Sequence, residues 1–245
     1  MKKAFTLVEL VVVLAVIAIV AHLLVRELGN YREQRFLDAA DKQLDEIRSA
    51  VWSIDSDGVP VGFLADMGRL PKDLSELWIK PDDVKSYNVA NIAGKAFVPT
   101  GWRGPYLKLP IGKTELYDPW GNKFAETDSA GLERVFKDSE TGFITNICHY
   151  GASAQTRGRR DVALVPEGGL SSSLVVAVEG ENIETVYVYG PDGRGGVTNW
   201  VHAVGNNGYK FEGLTPGTRI LWCATKGMRS VRVLPGENPP YIIKE

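Results

Sequence analysis

Cysteine is scarce in this 245-residue chain, which holds only Cys148 and Cys223. Two thiols 75 positions apart give neither a disulfide framework nor the paired spacing of a structural zinc site. An oxidising compartment would permit a bridge between them. Burial as two small hydrophobes is the expected state. Histidine is nearly as sparse, and His22, His149 and His202 stand apart from any nucleophile or acid in a catalytic spacing, so no enzyme activity is expected. An excess of positive charge is also missing: 28 Lys and Arg face 30 Asp and Glu, a net charge of -2. That balance argues against nucleic acid as a partner, and the short cluster Arg157, Arg159 and Arg160 reads as a solvated loop. With 24% charged and 44% hydrophobic residues, wholesale disorder is excluded.

Proline and glycine are absent from the first 28 residues, where one long apolar run lies. Every residue from Leu10 to Val25 except His22 is apolar. Counted from Ala4 to Val25, the run reaches about 33 Å as a helix, enough for a bilayer core of ~30 Å. Lys2 and Lys3 precede it, which places the N-terminus in the cytoplasm and the rest of the chain across the membrane. A cleaved secretory signal needs small residues after the run, and Arg26-Glu27-Leu28-Gly29-Asn30 offers no such site. A plain signal-anchor accounts for the run but not for Glu9. A carboxylate at mid-bilayer costs about 3 kcal/mol, less near an end, so it calls for a partner.

Ala4-Phe5-Thr6-Leu7-Val8-Glu9 resembles the type IV prepilin signal. The resemblance implies cutting by a prepilin peptidase between Ala4 and Phe5, methylation of the new amine on Phe5, and retention of the apolar helix. It also implies that Glu9 pairs with the terminal amine of a neighbouring subunit, which suits a buried carboxylate that is tolerated only beside a buried cation. Ala4 stands where the family mostly has Gly. The mid-segment proline of many relatives is missing as well, since that neighbourhood reads Val25-Arg26-Glu27.

Leu37, Ala40, Leu44, Ile47, Val51 and Ile54 recur at three- and four-residue steps. This pattern predicts that the helix continues as an amphipathic one to about Ile54. Asp38 and Lys42 are spaced for an i,i+4 pair, and Asp55-Ser56-Asp57-Gly58 supplies a stop.

Downstream come Gly68-Arg69-Leu70-Pro71, Trp102-Arg103-Gly104-Pro105-Tyr106-Leu107 and Asp118-Pro119-Trp120-Gly121-Asn122, tight turns flanked by aromatics. Trp102, Tyr106 and Trp120 are expected to pin loops to the core rather than to stack on carbohydrate. Strands are predicted near 133–137 and 143–150 as an antiparallel pair against the helix. In order and spacing these segments resemble the major pseudopilin of type II secretion systems. That family closes its domain with a calcium-binding loop. Here Gly151-Ala152-Ser153-Ala154 replaces the acidic pattern and only Asp161 matches a ligand, so tight calcium binding is disfavoured.

After Pro166-Glu167-Gly168-Gly169, strands near 174–178, 185–189, 209–211, 219–224 and 230–233 predict a small antiparallel β-sandwich. Phe211 to Thr218 weakly resembles a segment of carboxypeptidase-regulatory-like and fibronectin-type domains. Gly190 to Gly196 reads as a hairpin loop rather than a phosphate cradle, and Trp200 and Trp222 read as core.

The expected architecture is α+β: leader 1–4, transmembrane helix 5–25, pseudopilin-like domain 26–165 and sandwich 170–245. The expected function is a structural subunit of a periplasmic pseudopilus. Its expected partners are other copies in a helical homopolymer, other pseudopilins, the prepilin peptidase and the inner-membrane assembly platform. The alternative is a minor pilin or adhesin-like subunit that displays its C-terminal module as a ligand binder.

Overall fold

A computed structural model describes residues 7–94, 96–128, 131–151, 159–180 and 183–244. One helix, α1 (Leu7–Val51), dominates the N-terminal part. At ~1.5 Å per residue it is about 67 Å long. Its apolar first half is exposed throughout, while Ala40, Leu44, Ile47, Ala50 and Val51 are buried. The same helix therefore offers its first part to a membrane or another molecule and its last part to its own core.

The helix ends at Val51 rather than near Ile54. Ser53–Ile54 (β1) turns back to pair with Pro60–Val61 (β2), and Ile54 is half exposed. The acidic turn is a hairpin, with Asp55 Oδ1 accepting from the Asp57 and Val59 amides at 2.9 and 2.8 Å. Gly62 then passes so close to the helix end that a Cβ would lie 2.7 Å from the Val51 carbonyl, at φ +107°. No other residue fits there. On the helix surface, Lys42 turns to Glu46 at 3.8 Å instead of to Asp38.

A short helix, α2 (Phe63–Met67), follows, and a 3-10 turn at Leu74–Leu77 is capped by Asp73, whose side chain accepts from the Ser75 amide. Next comes a hairpin absent from the sequence reading, β3 (Asn88–Ile92) with β4 (Ala96–Thr100). β5 (Val135–Lys137), β6 (Ile144–His149) and β7 (Arg160–Ala163) form an antiparallel sheet in that order. The first two lie where the alternating pattern placed them. Against this sheet α1 and α2 bury Leu44, Ile47, Phe63, Leu64, Met67, Ile144 and Ile147. Each such side chain contributes about 1.5–3 kcal/mol of transfer free energy.

Seven strands follow: β8 (Ser172–Val178), β9 (Glu184–Pro191), β10 (Val197–Val204), β11 (Tyr209–Leu214), β12 (Gly217–Cys223), β13 (Gly227–Val233) and β14 (Glu237–Ile243). They form two sheets ordered β10-β9-β12-β13 and β11-β8-β14. All pairs are antiparallel except β8 with β14. Lettered A to G in chain order, the sheets are C-B-E-F and D-A-G, which differs from the ABED and CFG arrangement of immunoglobulin constant domains. Val176, Val186, Val188, Phe211, Leu221 and Val233 fill the space between them.

Two of these strands, β10 and β14, have no counterpart in the sequence reading. The fold is α+β: one long helix and small sheets, most of their pairings antiparallel.

Candidate functional site

Ala4 and Phe5 lie outside the described residues. Glu9 is within the first turn of α1, where a carboxylate faces the positive end of the helix dipole. Around it Leu7, Val8, Leu10 and Val11 are all exposed, so this part of the helix finds no apolar cover within its own chain. The stretch is long and apolar enough to cross a membrane, and none of it is buried inside the chain. Past Val25, Arg32 and Arg35 lie over the rings of Phe36 and Tyr31, each at 5.4 Å. These pairs mark where the helix turns from apolar to polar.

The globular domain holds the helix by specific groups. Trp120 of the Asp118–Asn122 loop meets Phe36 edge-on at 6.0 Å between ring centroids and lies 5.8 Å from the His149 ring. Buried His149 faces Asp41 of the helix, Nε2 to Oδ1, at 2.9 Å. Arg160 reaches Asp45 at 3.0 Å. Of the three arginines read as a solvated loop, Arg160 therefore ties β7 to α1. Arg157 lies outside the described residues.

The aromatic loops are pinned as their composition implied. Trp102 Nε1 donates to the Glu76 carbonyl at 2.7 Å, and the Trp102 and Tyr106 rings meet edge-on. The Tyr106 hydroxyl donates to Asp66 Oδ2 at 3.1 Å, and Arg103 Nε donates to the same oxygen at 3.0 Å. Burial raises the pKa of Asp66, with the charge of Arg103 opposing it. Asp118 Oδ1 accepts from the Trp120 and Asn122 amides at 3.0 and 2.8 Å, which closes its loop. Its other oxygen accepts from Arg134, a partner that no local motif announces.

Asp161, the one residue matched to a calcium ligand, is held by Arg159: Nε donates to Oδ2 at 3.0 Å and Nη2 to Oδ1 at 2.9 Å. Arg159 also lies over the rings of Phe136 and Tyr150. Among the described residues no three His, Cys, Asp or Glu gather as a metal site. Ser153 and Ala154 lie outside them. A lone carboxylate already neutralised by a guanidinium does not fit a cation that needs six to eight oxygens. Cys148 and Cys223 are both free and buried, the first on β6 and the second inside the sandwich.

The sandwich is joined to the rest by more than its linker. β3 and β4 lie across the outer face of its four-stranded sheet, where Ala96 and Val98 bury against Tyr189 and Ile220. Trp222 packs here, outside the sandwich core in which the sequence reading placed it, while Trp200 does pack against that core. The loop Gly190–Gly196 joins β9 to β10 as a hairpin, with Asp192 Oδ1 accepting from the Arg194 and Gly196 amides at 2.8 Å each. Arg69 donates to its Gly193 carbonyl at 2.8 Å.

Arg219 is 1% exposed at this junction. It donates to the carbonyls of Thr215, Pro216 and Thr218 at 2.9, 2.6 and 2.9 Å, and it reaches the Ala65 carbonyl of α2 at 3.5 Å. Burial lowers its pKa to about 9, and the charge of Asp66 pulls in the opposite direction.

No curated protein and no solved structure matches the chain. One family model does, the prokaryotic N-terminal methylation motif, over residues 1–25. Of those residues, Leu7 to Val25 form the exposed apolar start of α1. The chain thus carries a type IV pilin-like prepilin signal on a helix able to span a membrane, the mark of a prepilin-processed subunit of pilus-like polymers.

Proposed function

We propose that the chain is a structural subunit of a periplasmic pseudopilus in type II protein secretion. The observation that carries this reading is the methylation motif at residues 1–25, continued by a helix whose apolar half has no cover of its own. In the proposed assembly the helices of successive copies pack together and supply that cover. Glu9 meets the methylated amine of Phe5 in the next copy, so that each charge is buried only beside its opposite. The chain sits in the inner membrane with its N-terminus in the cytoplasm and its globular parts in the periplasm. Its partners are the prepilin peptidase, the assembly platform of the inner membrane and other pseudopilins. The loops at Trp102–Leu107 and Asp118–Asn122, pinned to α2 and α1, support a pseudopilin over other pilins through their resemblance to that family.

A second reading is a minor pilin that displays its sandwich as a binding module. The Arg219 junction favours it to this extent: Arg219 of the module reaches the Ala65 carbonyl of α2, which ties a displayed module to the rest of the chain.

Mass and N-terminal sequence of the membrane-extracted protein test the common part. N-methyl-Phe5 at the start is expected, and an intact Met1 would overturn it. Deletion of the gene then separates the two readings. Loss of protein secretion into the medium with surface pili retained supports the pseudopilin, and the reverse supports the minor pilin.

A further inference from the structure

The four edges of the C-terminal sandwich are unlike one another. The strand order leaves β10, β13, β11 and β14 each with one unpaired side. Exposed edges invite pairing with other chains, and proteins blunt them with charge, proline or bulges. β14 carries Pro239 and Pro240, and its register breaks between Asn238 and Tyr241. β11 carries Lys210 and Glu212, with a register shift between Phe211 and Leu214. β13 carries Arg229 and Arg232, and Arg232 Nη1 donates to the Asp57 carbonyl at 2.7 Å, which brings the β1–β2 turn to that edge. β10 has none of these devices. Its eight residues, Val-Thr-Asn-Trp-Val-His-Ala-Val, include no charge, no Pro and no Gly, and they pair with β9 in unbroken register.

The side chains of β10 fall into two sets. Trp200 and His202 lie opposite Val188 and Val186, on the inner face of the sheet. The His202 ring stacks on Tyr209 of β11 at 3.4 Å, closing this side of the sandwich with aromatics. Asn199, Val201 and Ala203 point outward, and Val201 is 52% exposed.

We propose that β10 is a self-association edge. The β10 strand of a second copy pairs with it antiparallel about a two-fold axis and joins two four-stranded sheets into one of eight. An isologous edge is self-complementary by construction, because each N–H presented by one copy meets a C=O presented by the other. Opposed residues of an antiparallel pair present their backbones alike, so odd positions of β10 meet odd ones and even meet even. Val201 then faces Val201, Asn199 or Ala203 of the other copy on the outer face, and in those same three registers Trp200 faces His202, Trp200 or Val204 on the inner one. With no charge anywhere on the strand, no register sets like charges against each other. A foreign peptide would meet the same backbone, but only a second copy is certain to bring a strand of equal length and neutrality.

At ~3.4 Å per residue the paired edge is about 27 Å long. That is smaller than a standard interface, so the contact is weak in dilute solution and effective where a membrane confines the copies. Successive copies along one polar filament are related by a screw and cannot share a two-fold contact. The edge therefore joins copies lying side by side, either in the membrane or in adjacent filaments. The inference holds whether or not the helix polymerises.

Two differently tagged full-length copies, co-expressed and extracted in mild detergent, provide the test. Contacts made by the apolar helix are the same in every variant and set the background. Above that background, Val201→Lys in both copies is expected to lower co-purification at least fivefold. Pairing a Val201→Lys copy with a Val201→Glu copy is expected to restore it. Ala203→Lys, on the same outer face, should repeat the loss. Backbone amide exchange at alternate residues of β10 should slow with protein concentration in the parent and not in Val201→Lys. Co-purification unchanged by Val201→Lys, or no rescue by Val201→Glu, overturns the proposal.

Discussion

Arg134 Nη1 donates to Asp118 Oδ2 across 2.9 Å, with both side chains withdrawn from solvent. The same guanidinium donates through Nε to Asp128 Oδ2 at 2.7 Å, so one buried cation answers two buried carboxylates. Breaking such a group from one side is costly, about 3–5 kcal/mol, because the partners keep their charge without compensation. Arg134→Met should therefore destabilise far more than its lost volume implies, while Asp128→Asn, which keeps Arg134 paired with Asp118, should cost less than half as much. Urea unfolding followed by circular dichroism checks both. Equal costs for the two variants would remove the network from the account.

Asp66 makes a pH-dependent prediction. Burial raises its pKa above the ordinary carboxylate value of 3.8, so the folded state holds the proton more tightly than the unfolded chain. The group then favours folding most at low pH, and that contribution fades as pH rises through the raised pKa. Asp66→Asn removes the titration. Its stability relative to the parent should therefore rise from pH 3.5 to pH 7, whatever its constant offset from altered bonds to Arg103 and Tyr106. Urea midpoints at the two pH values decide the sign, and a difference that falls with pH contradicts the cause given.

How far the sequence reached depends on whether a residue's partner is near in the chain. Asp118 and Trp120 were legible because the turn that Asp118 caps is local, with both amides within four residues. Arg134 was not, since nothing in its own neighbourhood announces a bond to a loop sixteen residues earlier. β3 and β4 escaped notice because Ala-Phe-Val-Pro-Thr breaks the strand pattern with proline, and what makes them strands is the sheet they cover. β14 was hidden by Pro239 and Pro240 and by its parallel partner β8, more than sixty residues away. The anchor was the most legible part, since a membrane imposes an unbroken apolar run whatever the tertiary contacts.

Calcium binding tests the reading of Asp161. To ligate a cation its carboxylate must first release Arg159, and the cation would then approach an uncompensated guanidinium. Calorimetric titration of the full chain in detergent is expected to show no calcium affinity in the micromolar range. Arg159→Gln frees the carboxylate but adds no further oxygen ligands, so it is expected to gain at most millimolar affinity. Micromolar binding by the parent chain would return the closing loop to the calcium-binding pattern of the family it resembles.

The junction of the two globular parts turns on Thr215. Arg219 Nη2 donates to Thr215 Oγ1 at 2.8 Å. A Cβ on Gly68, which sits at φ +72°, would lie 3.3 Å from that oxygen and 2.9 Å from Pro191 Cγ. Gly68→Ala must therefore strain its own backbone and press on the loop that holds Arg219. Arg219→Met leaves the carbonyls of Thr215, Pro216 and Thr218 without their donor, at about 1–3 kcal/mol for each buried group that finds no other partner. Because both changes act on one loop, their costs should not add. In the Arg219→Met background, Gly68→Ala has no guanidinium bond left to disturb, so it should cost less than in the parent, by at least ~0.5 kcal/mol. A double-mutant cycle in urea measures the difference. Strict additivity would mean that Gly68 acts on Pro191 alone and that the two parts are joined by independent contacts rather than through one loop.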